Sequence, residues 1–296
     1  MSSFYKVSDL TDEQVAELLD ESILIVPAVS AGNVPQLAAD LLLHSLGLRL
    51  VGRLSDLYVY PFAGPRDTPD GAATVNGGGI STAVEVFAGS GLTVVQVRSP
   101  PLPGQRRRFV EETLLPFVRN FRFAETLAIA SSNAALRESL QGPRYQLLTP
   151  PVGIKKDTKA AADAAGLGSG NGSNDGDATT AALSARLAKL SLALDTPPEP
   201  APASLEGLPE SGIALDLLTA VAAAGGKICA PLIYVYEGDN FGDAHEFADR
   251  VAAAAGIDIA ATKAALPTPG RWTQPVSWQW VYGKSVPVGL EEGLYS

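Results

Sequence analysis

Apolar positions in this chain fall into short continuous runs that alternate with helix-spaced stripes. The clearest unit opens with Ile23-Leu24-Ile25-Val26 and is stopped by Pro27. Such a run predicts a strand buried on both faces. The loop Ala28-Val29-Ser30-Ala31-Gly32 follows, then Asn33 as a helix cap, with Pro35 in the first turn where its missing N–H costs nothing. Val34, Leu37, Ala38, Leu41 and Leu42 recur along one helical face, and Gly47 ends the helix. Strand, loop and helix form the opening unit of an α/β sheet.

The same patterning extends in both directions. Thr11 caps a short predicted helix with Val15, Leu18 and Leu19 on one face. Residues 48–54 and 57–60 read as strands, and 80–87 and 92–97 as a hairpin around Ala88-Gly89-Ser90-Gly91. A helix over 106–120 turns Phe109, Leu114 and Phe117 inward, and Pro116 predicts a kink or a break in it. Residues 126–130 are another apolar strand, leading into Ser131-Ser132-Asn133. Later come a helix over 213–224 stopped by Gly225-Gly226, a buried strand over 228–236 and a helix over 241–255. Pro231 is tolerable in that strand only near its start.

Residues 155–209 interrupt the pattern. Gly166 to Asp177 is rich in Gly, Ser, Asn and Asp, and 197–202 is rich in proline. Between them Leu183, Leu187, Leu190 and Leu194 keep helical spacing. This predicts a flexible insertion carrying one helix, within a single domain spanning 1–296. The 296 residues are 46% hydrophobic and 18% charged, enough apolar surface to offset the entropy cost of ordering a sizeable core.

Charge and cysteine content narrow the function classes. A net charge of −10 argues against non-specific nucleic-acid or anionic-membrane binding. Arg106-Arg107-Arg108 is too small a patch to reverse that, and reads as a solvated helix end or a protein contact. The single cysteine, Cys229, excludes an internal disulfide and lies in an apolar run, as a buried thiol would. Cysteine poverty suits a reducing compartment. The N-terminus lacks a basic region followed by an apolar one, and no apolar run approaches ~20 residues. A cytoplasmic protein is expected, with the nucleus as an alternative.

Candidate chemistry lies in loops at the carboxyl edge of the expected sheet, where α/β proteins bind ligands. Residues 27–33 match neither dinucleotide-binding nor P-loop spacing, and Gly77-Gly78-Gly79 reads as a turn. Ser131 would need a general base, and the chain has two histidines, His44 and His245, with no Ser/His/Asp spacing. Glu237, Asp239, Asp243 and Glu246 would either bind Mg²⁺ or do acid–base work, or else Asp239, Asn240 and Asp243 cap and favour a helix start. Trp272, Trp278 and Trp280 are concentrated near the end, in what reads as an extended segment serving as an interface or anchored to the chain's own core.

Together these stretches resemble the proteasome assembly chaperone 2 family, in a fungal-type form. The resemblance rests on Pro27-Ala28-Val29-Ser30-Ala31-Gly32-Asn33-Val34-Pro35-Gln36-Leu37-Ala38-Ala39-Asp40-Leu41-Leu42. Tyr145-Gln146-Leu147-Leu148-Thr149-Pro150, Glu237-Gly238-Asp239-Asn240 with Asp243-Ala244, and Ser277-Trp278 with Gly283 and Pro287 support it. It implies a three-layer α/β/α sandwich resembling the nucleoside phosphorylase/hydrolase fold, without a catalytic site or cofactor. It also implies a heterodimer with a proteasome assembly chaperone 1 family subunit, seated on the outer face of the proteasome core-particle α ring. There the pair supports ring formation and blocks premature regulator binding.

The family's docking device is a C-terminal hydrophobic–tyrosine–any tripeptide, and Leu294-Tyr295-Ser296 has that form, at the end of a tail over 284–296. A terminal carboxylate pairs with a lysine, the tyrosine ring is a rigid anchor, and Glu291 and Glu292 steer the tail toward a basic rim. The expected surface for the related subunit is the hairpin 80–97 with the helix 106–120. The alternative function is a nucleoside phosphorylase/hydrolase-like enzyme using the carboxyl-edge loops at 30–33, 131–133 and 237–243.

Overall fold

The fold is described from a computed structural model that covers residues 3–67, 79–137, 142–151, 175–202, 208 and 210–278, with the backbone course alone for 175–184. Eleven strands are present among them: β1 (Phe4–Lys6), β2 (Ile23–Pro27), β3 (Arg49–Leu54), β4 (Ala63–Pro65), β5 (Ile80–Thr82), β6 (Val84–Gly89), β7 (Leu92–Val97), β8 (Glu125–Asn133), β9 (Tyr145–Thr149), β10 (Pro198–Pro200) and β11 (Ile228–Val235). Nine form one sheet in the order β1-β3-β6-β7-β2-β8-β11-β9-β10. The run at Ile23 is therefore its central strand. β7, β2, β8 and β11 are parallel, whereas β1, β3 and β6 on one side and β9 on the other are joined by antiparallel pairings.

Alternation along the strands divides the core in two. Leu24, Val26 and Ala28 point to one face and Ile25 to the other. The first face is covered by α1 (Asp12–Leu19), by a composite helix α3 (106–120) and by α5 (Ala214–Ala223). The second is covered by α2 (Val34–Ser45), α4 (Asp175–Leu194) and α6 (Phe241–Ala254). A short α7 (Ile259–Ala265) follows. The three-layer α/β/α sandwich is thus present.

Local chemistry explains most boundaries. Thr11 caps α1 in a reciprocal capping box with Gln14. Asn33 does not cap α2 through its side chain; it and Gly32 adopt left-handed backbone, which turns the chain sharply from β2 into the helix. At the far end Leu48 N–H donates to Leu43 O at 3.1 Å around left-handed Gly47, closing the helix as expected. The β6–β7 hairpin turns on Ser90-Gly91, both at positive φ, which matches the twist of the strands.

Several expectations are corrected. Residues 57–60 form a turn with a single bridge, Val59 to Pro101, not a strand. The run 80–87 breaks at Ala83: β5 pairs with β4 in a separate ribbon, and β6 enters the sheet. Pro116 does not break its helix. The turns Arg106–Arg108 and Leu115–Asn120 are α-helical, but Phe109–Leu114 between them is a π turn, and Leu115 N–H reaches Val110 O. Widening the turn before the proline accommodates its ring and its missing donor. Pro231 lies mid-strand, not near the start; the parallel ladder to β8 skips Ala230 and Pro231, and Pro231 has no N–H to donate.

Part of the stretch expected to be a flexible insertion belongs to the core. Leu190 and Leu194 of α4 are fully buried, and Arg186 reaches the buried Glu125 of β8 at 2.5 Å. The proline-rich segment supplies β10, parallel to β9, where prolines suit an edge. Residues 152–174 lie outside the described residues, as do Gly77-Gly78, Trp280 and the tail 284–296.

Candidate functional site at the carboxyl edge

The chain leaves β2 into α2 over one face, and leaves β7 through α3 over the other to reach β8. The carboxyl end of β2 is thus the place where connections part, and a crevice forms there. It encloses about 420 Å³ and is lined by Val29, Ser30, Ala31, Arg106, Glu210 and Glu237, among others. An enzyme with this layout would place its chemistry here.

The polar groups at this edge are instead satisfied by one another. Ser131 is not in a loop: β8 continues through Asn133, and Ser131 is fully buried. Its N–H donates to Ser30 Oγ at 3.1 Å, and its hydroxyl donates to Ala31 O at 2.5 Å. Ser30 Oγ lies 2.8 Å from Ser131 Oγ and 3.1 Å from Ala28 O, and its one proton serves these two acceptors. Each hydroxyl is surrounded by backbone and by the other, so no base is placed to activate it. Gly32 N–H donates to Glu237 Oε1 at 3.1 Å, tying the end of β11 to the loop after β2. A Cβ at Gly32 would run into the side chain of Asn240, so only glycine permits this close approach.

The four carboxylates do not converge, and no group of three or more metal-ligating side chains exists among the described residues. Glu237 holds Gly32, and Asp239 accepts from Phe241 N–H at 3.2 Å at the start of α6. Asp243 and Glu246 both pair with Arg144. Burial would raise the carboxyl of Glu246, but the Tyr145 hydroxyl, Arg144 and Arg250 outweigh it and hold the group below the usual carboxylate range. The capping reading therefore holds for Asp239, and Asp243 lies in the first turn of α6 as expected, whereas the Asn240 side chain makes no cap; Asp243 and Glu246 are also ion-paired.

The remaining candidates are likewise structural. Arg106, Arg107 and Arg108 pair with Asp216, Glu111 and Glu112 at 2.5, 2.7 and 2.8 Å, which neutralises the basic patch. Burial pushes the thiol of Cys229 well up, as expected of an inert core cysteine. Burial also lowers both His44 and His245.

The surface expected to meet a related subunit is partly corrected. All of Leu92–Val97 and all but Gly89 of Val84–Gly89 are buried inside the sheet, so the hairpin offers no free face. Within 80–97 Ile80 on β5 stays exposed, and large apolar side chains are also exposed at Tyr5 on β1 and at Leu57, Tyr60 and Phe62 between β3 and β4.

Two features escaped sequence reasoning. Asp40 of α2 is buried against Arg98, the residue after β7, at 3.0 Å and also accepts from Gln96. Residues 272–278 lie across the second helical layer and are tied to it through Trp272, Thr273, Gln274 and Trp278. The tryptophans signalled an anchor to the chain's own core, and up to Trp278 that alternative is the observed one; no strand forms over 272–278, and residues 276–277 make a turn. Leu294, Tyr295 and Ser296 lie outside the described residues.

The fold and its crevice define an α/β/α protein in which Ser30, Ser131 and Glu237 at the ligand edge are engaged by the chain's own groups. The PAC2 family model matches residues 24–252. The chain belongs to the PAC2 family. It is 25% identical to proteasome assembly chaperone 2 of Danio rerio over 274 residues, 89% of this chain and 92% of that protein. It is 33% identical to the Homo sapiens protein of that name over 134 residues, 43% of this chain and 49% of that protein. For the Saccharomyces cerevisiae protein the figures are 34% over 113 residues, 35% of this chain and 42% of that one. Apart from the Danio rerio protein, these alignments span about half or less of each relative.

Among solved structures, Pyrococcus furiosus PbaA, described as an archaeal homolog of proteasome-assembly chaperone, superposes with a TM-score of 0.52 at 12% identity, over 81% of this chain and 84% of that one. Pyrococcus furiosus PbaB, described as an archaeal proteasome activator, gives 0.51 at 15% identity, over 87% and 91%. Both share the fold. No described helix is long and apolar enough to cross a membrane.

Proposed function

We propose that this chain is a proteasome assembly chaperone. With a related chaperone subunit it forms a heterodimer on the outer face of the core-particle α ring, promotes ring assembly and blocks premature regulator binding. The observation that carries this reading is the PAC2 family match over 24–252, together with a carboxyl edge where Ser30, Ser131 and Glu237 are engaged by the chain's own groups. The chain works by binding and not by catalysis. A stable heterodimer buries on the order of 1,600 Å² or more. Docking uses Leu294, Tyr295 and Ser296: the carboxylate pairs with a lysine between α subunits, and Tyr295 supplies a rigid anchor. The work is done in the cytoplasm, with access to the nucleus.

A native-gel competition tests this. Purified core particles are mixed with the chain and its co-purifying partner, then challenged with a regulator. Retarded regulator binding is the expected result. Unhindered regulator binding with no chaperone on the particle would overturn the proposal. Among the described residues no base faces Ser30 or Ser131 and the four carboxylates do not converge, so phosphate-dependent nucleoside cleavage is expected to be absent.

A further inference from the structure

Residues 272–278 form a strap with a defined direction. Trp272 is buried, its Nε1–H donates to Asp249 Oδ1 at 2.8 Å, and the Lys263 ammonium lies 5.2 Å from its ring centre. Thr273 N–H donates to Ser45 Oγ at 2.8 Å, and Gln274 Nε2 lies 2.9 Å from His245 Nε2. Trp278 is buried with its ring centre 4.5 Å from that of Phe241. The strap thus meets α6 in the order Asp249, His245, Phe241. It runs back toward the start of α6, which follows β11 and lies at the carboxyl edge of the sheet.

At the end of the strap stands a contact between distant parts of the chain. Ser277 donates its N–H to Asp67 Oδ1 at 3.2 Å, and its hydroxyl to the other oxygen of the same carboxylate. Asp67 follows β4, 210 residues away in sequence. Hydrogen bonds to a carboxylate are stronger than neutral ones. A segment released from a fixed point engages its target at a higher effective concentration than one released from a fraying strap.

We propose that Asp67 and Ser277 form a clasp that moors the chain at Trp278, so that residues 279–296 leave from one point at the carboxyl edge, and that this mooring sets how tightly the tail engages the α ring. The inference rests on the proposed use of Leu294, Tyr295 and Ser296. Asp67 and Ser277 are positioning residues and touch no part of the ring.

The test measures affinity for purified core particles of the full chain with its co-purifying partner, in a double-variant design. Asp67→Ala and removal of residues 294–296 are made singly and together. Asp67→Ala is expected to weaken docking about three- to tenfold, with a smaller loss for Ser277→Ala and none for Ser277→Thr, which keeps the hydroxyl. In the chain lacking 294–296, Asp67→Ala should cause no further loss. An equal loss in both backgrounds would mean a general structural role and overturn the mooring. Full affinity in Asp67→Ala, with a loss on tail removal, would also overturn it while leaving the docking tail in place. No loss on tail removal would overturn the tail's role and the mooring together.

Discussion

The hydroxyl oxygens of Ser30 and Ser131 stand 2.8 Å apart, joining the loop after the central strand to the end of its neighbour β8. Ser131 is fully buried. Ser131→Ala removes its donation to Ala31 O and leaves Ser30 with one partner fewer. Unfolding in urea should show a loss of about 1–2 kcal/mol, with docking to core particles unchanged in the folded fraction. A larger loss of docking than of stability would give this edge a direct role.

Gly32 carries the same edge in another way. Its φ of +62° and its contact with Asn240 leave no room for a side chain. Gly32→Ala should cost about 1–3 kcal/mol, and adding Asn240→Gly should restore part of it by clearing the clash while the backbone strain stays. Denaturant midpoints of the two variants check this.

The helix Asp175–Leu194 is tied to the sheet by Arg186, whose partner Glu125 is buried. Arg186→Ala strands that carboxylate and should destabilise the fold by about 3 kcal/mol. Glu125→Gln added to Arg186→Ala should recover part of the loss. If Arg186→Ala leaves the unfolding midpoint unmoved, the helix is not an energetic part of the core.

Histidine titration gives a pH signature. Burial lowers His44 and His245 below the ordinary histidine value of about 6.5. Around His44, Asp40 and Asp67 oppose the shift and Arg98 adds to it; around His245, Lys263 and Arg271 add to it and Asp249 opposes it. Because both pKa values are depressed in the folded state, the unfolded chain binds protons first. The stability they contribute is complete above about pH 6.5 and is lost as pH falls through the folded values. Urea midpoints at about pH 7.5 and about pH 5.5 should therefore differ less in a His44→Gln, His245→Gln chain than in the parent.

What the sequence revealed was what neighbours in sequence decide. The run Ile23-Leu24-Ile25-Val26, the Thr11 cap, the Ser90-Gly91 turn and the Gly47 stop each carry their cause within a few residues, and all appear as read. The misreadings depend on distant partners. Ser131 to Asn133 looked like a loop because polar residues seldom continue a buried strand, but Ser30, 101 residues away, satisfies Ser131. Residues 175–202 looked loose because neither Glu125 nor β9 is near them in sequence. The carboxylates at 237–246 left a metal or acid–base site open beside the capping reading because the sequence hides Arg144, which takes two of them. The Asp67–Ser277 contact has no local signal at all.

The most direct test of the central claim is a pull-down from native lysate with the tag on the N-terminus, so that Ser296 stays free, followed by mass spectrometry. The account predicts one related chaperone and proteasome α subunits, with mature β subunits well below them. A chain recovered alone, or one bound equally to complete mature particles, would contradict it.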